Sequence, residues 1–259
     1  MTYSMISSII SGGLVGFMLG LLGGGGSILA VPLLLYVVGV SQPHVAIGTG
    51  ALAVSANAFA NFAAHATKGN VWWRCALVFA ALGMIGAWAG SCLGMAMDGE
   101  RLLFLFGIVM LVVGVLMLRT RKATSSTARP VDLRMCLVTA AIALVAGAAS
   151  GFFGIGGGFL IVPALIFATG MPMINAIGSS LLSVGAFGLT TAISYANSGL
   201  IDWMLAAEFI GGGIVGGVAG MLLARRLSGF SGTLNRLFAA LIFVVAAYVL
   251  YKSGENLIA

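Results

Sequence analysis

The chain has 259 residues, 61% of them apolar and 7% charged, with a formal net charge of +6 and a mean hydropathy of +1.15. A soluble domain carries about 25% charged residues, so this composition excludes one and predicts an all-α integral membrane protein. The apolar runs are continuous rather than alternating, which excludes a transmembrane β-barrel.

Residues 5–22 predict a first apolar helix, and Gly23 to Ser27 break it. Residues 28–40 follow as a short segment carrying Pro32. At the helical rise it spans only about 20 Å, short of the roughly 30 Å hydrocarbon core. Ser41 to His44 form a turn, and residues 44–67 and 71–96 read as two full-length helices joined at Lys68-Gly69-Asn70. Asp98-Gly99-Glu100 is the next turn, and residues 102–118 close the first half. The segment 119–134 is basic, polar and Pro-containing, as a soluble connector is. Beyond it come apolar runs at 135–153, 159–170, 174–196, 203–224 and 234–251. Met1 to Met5 hold no basic residue, so a cleaved signal peptide is not expected. Cys75, Cys92 and Cys136 stand in apolar surroundings with no C-x-x-C pair and read as small buried thiols.

The second set repeats the first. Of the fifteen positions from Gly20 to Leu34, eight are identical at an offset of 131. Gly20-Leu21-Leu22-Gly23-Gly24-Gly25-Gly26-Ser27 answers Gly151-Phe152-Phe153-Gly154-Ile155-Gly156-Gly157-Gly158, and each is followed by Val-Pro. Ala46-Ile47-Gly48 matches Ala176-Ile177-Gly178, Gly69 matches Gly199 and Trp73 matches Trp203, all at an offset of 130. The expected organisation is two homologous halves, 1–118 and 135–259, around the cytoplasmic linker 119–134, each with a glycine-broken short helix. Paired Gly/Pro-interrupted segments in the two halves of a membrane chain mark the binding site of a transporter.

Charge chooses the relative orientation of the halves. With five segments each, the halves are inverted. One side then holds Lys68, Arg74, the five basic linker residues, Arg225, Arg226 and Arg236, and the other only Arg101 and Lys252. The ten-to-two split is better than the eight-to-four split of parallel halves with four crossings each. Inverted halves with both termini outside the cytoplasm are therefore expected.

Two groups of residues could carry function. The first is the glycine breaks, Gly24, Gly25, Gly26 and Ser27 with Gly156, Gly157 and Gly158. Each opens a short helix whose N–H groups and partial positive charge suit an anion. Inverted hairpins can bring both tips together near the midplane as one cradle. Close helix packing is the alternative use of such glycines. The run has no Gly-Lys-Ser/Thr end, so it is not a nucleotide loop. The second group is a polar stripe. Thr49, Asn57, Asn61 and His65 recur in fours on one helix face, and Ser179, Ser183, Thr191 and Tyr195 share the matching face, with Phe187 at the place of Asn57. Polar residues within a membrane face a bundle interior or a cavity, where they line a path or join helices. Glu208, an acid within a span, either reaches the outer surface or carries protons, and its counterpart is Val78. Trp72, Trp73 and Trp203 read as interface anchors.

The doubled G-x-x-G-x-G-G-x-x-x-V-P pattern, with Ala-Ile-Gly-Thr/Ser opening the next helix, resembles the TauE/SafE family of sulfite and organosulfur-anion exporters. The first copy departs only in reading Gly24 and Ser27 where the second has Ile155 and Gly158. The resemblance covers both halves and the linker. It implies a multi-pass carrier of the bacterial inner membrane that moves small sulfur-containing anions, sulfite or organosulfonates among them.

The expected function is therefore secondary export of a small anion, with protons or cations as possible coupling ions, no cofactor and no nucleic-acid partner. A membrane channel or assembly subunit is the second reading. An intramembrane hydrolase using Ser27 or Ser179 with His65 lacks any G-x-S-x-G motif. Inverted halves place the tail from Lys252 onward in the periplasm. A C-terminal alkaline phosphatase fusion is expected to be active and a GFP fusion dark, and the reverse result restores parallel halves.

Overall fold

A computed structural model describes residues 2–119, 133–154, 161–162, 165, 171, 173–226 and 242–253. The linker 120–132 and the second glycine run from Ile155 to Leu160, with Gly156, Gly157 and Gly158, lie outside the described residues. Among the described residues all regular structure is helical. Helix α1 is Thr2–Leu22, followed by a 3-10 turn over Gly23–Leu29, α2 over Ala30–Leu33, and a π turn over Leu34–Val38. Then come α3 (Pro43–Ala66), α4 (Trp73–Ala96), α5 (Gly99–Arg119), α6 (Leu133–Phe153), α7 (Met173–Asn197), α8 (Trp203–Arg226) and α9 (Ile242–Ser253). Four single helices cross-match the length and hydropathy of a membrane span: Pro43–Ala66, Trp73–Ala96, Asn175–Asn197 and Trp203–Leu223. The fifth apolar stretch is Met5–Val38.

That stretch is not straight. A straight helix would carry Leu34 about 18 Å beyond Leu22. Instead Leu34–Val38 lies back alongside α1, and Gly26 sits against Met18 and Leu19. The reversal is made at Gly23, whose φ of +69° is a left-handed conformation that a side chain resists. Gly39, at φ +86°, ends the return arm, and Pro43 opens α3 after the extended Gln42. Aspartates cap two later helices. Asp98 Oδ1 accepts the N–H of Glu100 at 3.1 Å and of Arg101 at 3.3 Å, and Asp202 Oδ1 accepts that of Leu205 at 3.0 Å.

Two helix pairs pack backbone to backbone. Along α1, Gly12, Gly16 and Gly20 rest on Phe209, Gly213 and Gly217 of α8, so the two helices run parallel. Along α6, Gly147 and Gly151 rest on Gly83 and Ala87 of α4, again parallel. A Cβ at any of these positions would fall onto the carbonyl opposite. The glycines are thus required by approach distance, in the small-residue manner of membrane helices. The central pair, α3 and α7, is antiparallel: Gly48 meets Tyr195, Gly188 meets Ala51, and Ser55 Oγ donates to the Gly185 carbonyl at 2.7 Å.

The lipid-facing positions carry the remaining apolar bulk. On α4, Trp88 and Leu93 are exposed, and on α8 Val215 and Leu222 are exposed. In a bilayer that is the solvated arrangement, because lipid tails meet apolar side chains without cost.

Gly16→Leu is expected to destabilise the protein, since overpacking alone costs about 1–3 kcal/mol and here the obstacle is backbone. Gly211 has open space around it, so Gly211→Leu should be tolerated. Thermal melts of the purified variants in detergent check the contrast, and equal melting temperatures would remove the packing role.

Candidate functional site

The first glycine turn is enclosed, with every residue from Gly23 to Leu29 buried. Ser27 Oγ donates to the Gly24 carbonyl at 2.8 Å, which closes the turn on itself. Gly23 packs on Ile177 of α7. Gly154, with φ +66°, packs on Ile47 of α3. Ile47 and Ile177 each precede the Ser55–Gly185 crossing by eight residues on antiparallel helices. At the helical rise they stand about 24 Å apart along the axis. Gly23 and Gly154 therefore stand near opposite ends of the α3–α7 pair. On the first-half side, α1 runs 21 residues before it turns, enough to cross most of the core.

The polar stripe divides by what each group touches. Thr49 Oγ1 accepts the N–H of Asp202 at 3.0 Å, at the start of α8. Ser179 Oγ accepts the N–H of Trp72 at 3.0 Å, at the start of α4. Each hydroxyl satisfies a helix-start donor that its own helix leaves open. Asn61 Nδ2 donates to the Asn57 carbonyl at 2.9 Å and its amide faces Gly217. The Asn57 amide faces Gly213, is fully buried, and has no partner on either polar atom. Ser183 and Thr191 are fully buried and their hydroxyls are likewise unpartnered. Phe187 stands opposite Gly83 and stacks on Phe79 at 6.2 Å. Thus Asn57 and Asn61 face α8, whereas Phe187 faces α4.

His65 is buried near the C-terminal end of α3. Tyr195, its counterpart on α7, is fully buried beside His44 at a ring separation of 6.2 Å. His44 Nε2 lies 3.1 Å from the Met97 carbonyl. Glu208 lines an open cavity of about 510 Å³ with Asp202, Gln42 and Val38. It is half-buried and opens to that cavity near the start of α8. A second cavity of about 330 Å³ joins Gln42 to His44, Asp98 and Glu100. Ser55 was not among the residues the sequence points to. Its signal was hidden: it lies off the stripe, and its partner Gly185 stands at the repeat offset of 130.

Long apolar helices, a doubled-back first segment and polar groups buried within the bundle describe a multi-pass membrane protein. The family "Sulfite exporter TauE/SafE" matches residues 8–249, and the chain belongs to that family. A "Probable membrane transporter protein" of Xylella fastidiosa strain 9a5c is 62% identical over 257 residues, covering 99% of this chain and 98% of that one. A protein of the same description from strain Temecula1 is 62% identical over 258 residues, with the same coverage. The "Probable membrane transporter protein YunE" of Bacillus subtilis is 26% identical over 274 residues, covering 96% and 98%. No solved structure matches. The chain is a multi-pass protein of the bacterial inner membrane.

Thr49→Val and Ser179→Ala each remove an acceptor from a helix-start N–H. Each is expected to lower stability by about 0.5–1.5 kcal/mol, by similar amounts. Thermal melting checks this, and a loss confined to one of the two would break the equivalence.

Proposed function

We propose that this transporter is a secondary carrier that exports a small anion, sulfur-containing as in sulfite or an organosulfonate. Its two halves, 1–118 and 135–259, are inverted repeats joined by a cytoplasmic linker at 119–134. The observation that carries this reading is the reciprocity of the contacts. Thr49 with Asp202 and Ser179 with Trp72 are the same pair at an offset of 130, with the halves exchanged. Gly48 on Leu200 answers Gly178 on Asn70, and Gly16 on Gly213 answers Gly147 on Gly83. Ser55 meets its own counterpart, Gly185, which is what a two-fold axis through the α3–α7 crossing requires. Parallel halves would make α3 and α7 parallel, and they are antiparallel.

Inverted halves around a buried site are the architecture of alternating access. Gly24, Gly25, Gly26 and Ser27, with Gly156, Gly157 and Gly158 as their equivalents, offer backbone N–H groups to the anion as it passes. Asn57 and Asn61 line the path where α3 faces α8, Ser183 and Thr191 line it from α7, and Thr49 and Ser179 stand at its ends. Their burial favours an occluding carrier over an open channel. Coupling protons would enter by the outer cavity at Glu208, the acid that lines it from within α8.

Counterflow in proteoliposomes loaded with sulfite tests the carrier. External sulfite should accelerate release of labelled internal sulfite, whereas a channel conducts without such exchange. Gly25→Leu should abolish the exchange while the protein still inserts, because the side chain fills the space before the N–H groups. Normal exchange in that variant would remove the glycine turn from the path.

A further inference from the structure

We infer that the anion is bound on one side of the two-fold axis only, at the Asn57 carboxamide between α3 and α8, and that this site takes a singly charged oxyanion. The inference rests on the carrier reading above and names its site and charge class.

Asn57 follows the Ser55–Gly185 crossing by two residues, so it lies near the middle of the bundle. It is fully buried, and both its amide atoms lack a partner. Buried polar groups are paired in the great majority of cases, and an exception calls for a ligand or water in another state. The unpartnered hydroxyls of Ser183 and Thr191 have a way out, since a hydroxyl can turn to a carbonyl of its own helix. The Asn57 carboxamide presents two donors and an acceptor, and unlike Asn61, whose Nδ2 bonds a carbonyl of its own helix, it meets none. The wall opposite is also special. Gly213 faces Asn57, so only backbone separates the amide from α8, and a Cβ there would strike it.

The equivalent place in the other half is closed to ions. Phe187 occupies the position of Asn57, faces Gly83 as Asn57 faces Gly213, and stacks on Phe79. Both rings are fully buried. An aromatic stack offers no donor to an anion, and burying charge against it is costly. One face of the axis therefore binds and the other seals.

The charge class follows from what surrounds the amide. Along α3 the nearest titratable side chain is His65, two turns away. On α8 Glu208 precedes Gly213 by five residues and opens to the outer cavity, and on α7 Tyr195 is neutral. Lys68 lies at the exposed end of α3, with Nζ 3.7 Å from Met221 Sδ. The donors at Asn57 are thus uncharged. The cost of burying an ion scales with the square of its charge, so a monoanion costs about a quarter of a dianion's desolvation.

The test uses the purified full chain at one neutral pH, where methanesulfonate carries one charge and sulfate two. Binding is read by thermal shift and transport by counterflow. Methanesulfonate should bind at least about tenfold more tightly than sulfate. Asn57→Leu and Asn57→Ala should each raise its Kd by about tenfold or more. Without ligand both variants should melt no lower than the parent, because the unmet amide is gone, an outcome that a packing role for Asn57 does not give. Phe187→Leu should leave the Kd unchanged. Equal losses at Asn57 and Phe187, or sulfate bound as tightly as methanesulfonate, would overturn the inference while leaving anion transport standing. If the parent neither binds nor moves any anion, the carrier reading itself fails and this site falls with it.

Discussion

Helices in a bilayer gain nothing from hiding apolar surface, so their association depends on how closely backbones approach. In this protein the approach is set by glycine against carbonyl. Gly16 on Gly213 and Gly20 on Gly217 join α1 to α8, and Gly147 on Gly83 and Gly151 on Ala87 join α6 to α4. Every other feature is hung from these two pairs. They leave the outward faces of α4 and α8 to lipid and bring α8 within reach of Asn57 and Asn61.

The glycine pairs also exchange the two ends of the chain. α1 packs on a helix more than 180 residues later, and α4 packs on α6 across the linker. The polar contacts follow the same rule. Thr49 holds the start of α8 and Ser179 the start of α4, so each central helix anchors a peripheral helix of the opposite half. A movement of one glycine-joined pair must therefore be felt at the start of its helix, beside the central crossing.

Divergence within this framework is local. Gly213 and Gly83 occupy matching places, yet one faces an amide and the other an aromatic ring. Glu208 lines the cavity beside Gln42 and Asp202, whereas Val78 at its matching place is exposed. The glycine contacts and the Thr49 and Ser179 hydrogen bonds recur at matching positions, while Asn57 and Glu208 have apolar counterparts in Phe187 and Val78.

Composition alone decided that this chain lives in a membrane, because 61% apolar residues leave no other stable environment. The glycine run placed the break after Leu22, and the four-residue spacing of Thr49, Asn57 and Asn61 placed them on one face, since both are local properties of backbone and helix. What that face touches was not legible. Hydroxyls that bond a neighbouring helix start and an amide that bonds nothing have the same periodicity in sequence. Nor could sequence tell that Gly23 and Gly154 stand at opposite ends of the α3–α7 pair, because the depth of a turn depends on where its helix is docked. The Ser55–Gly185 contact is the clearest case. It joins residues 130 apart, and only the crossing of two antiparallel helices makes them neighbours.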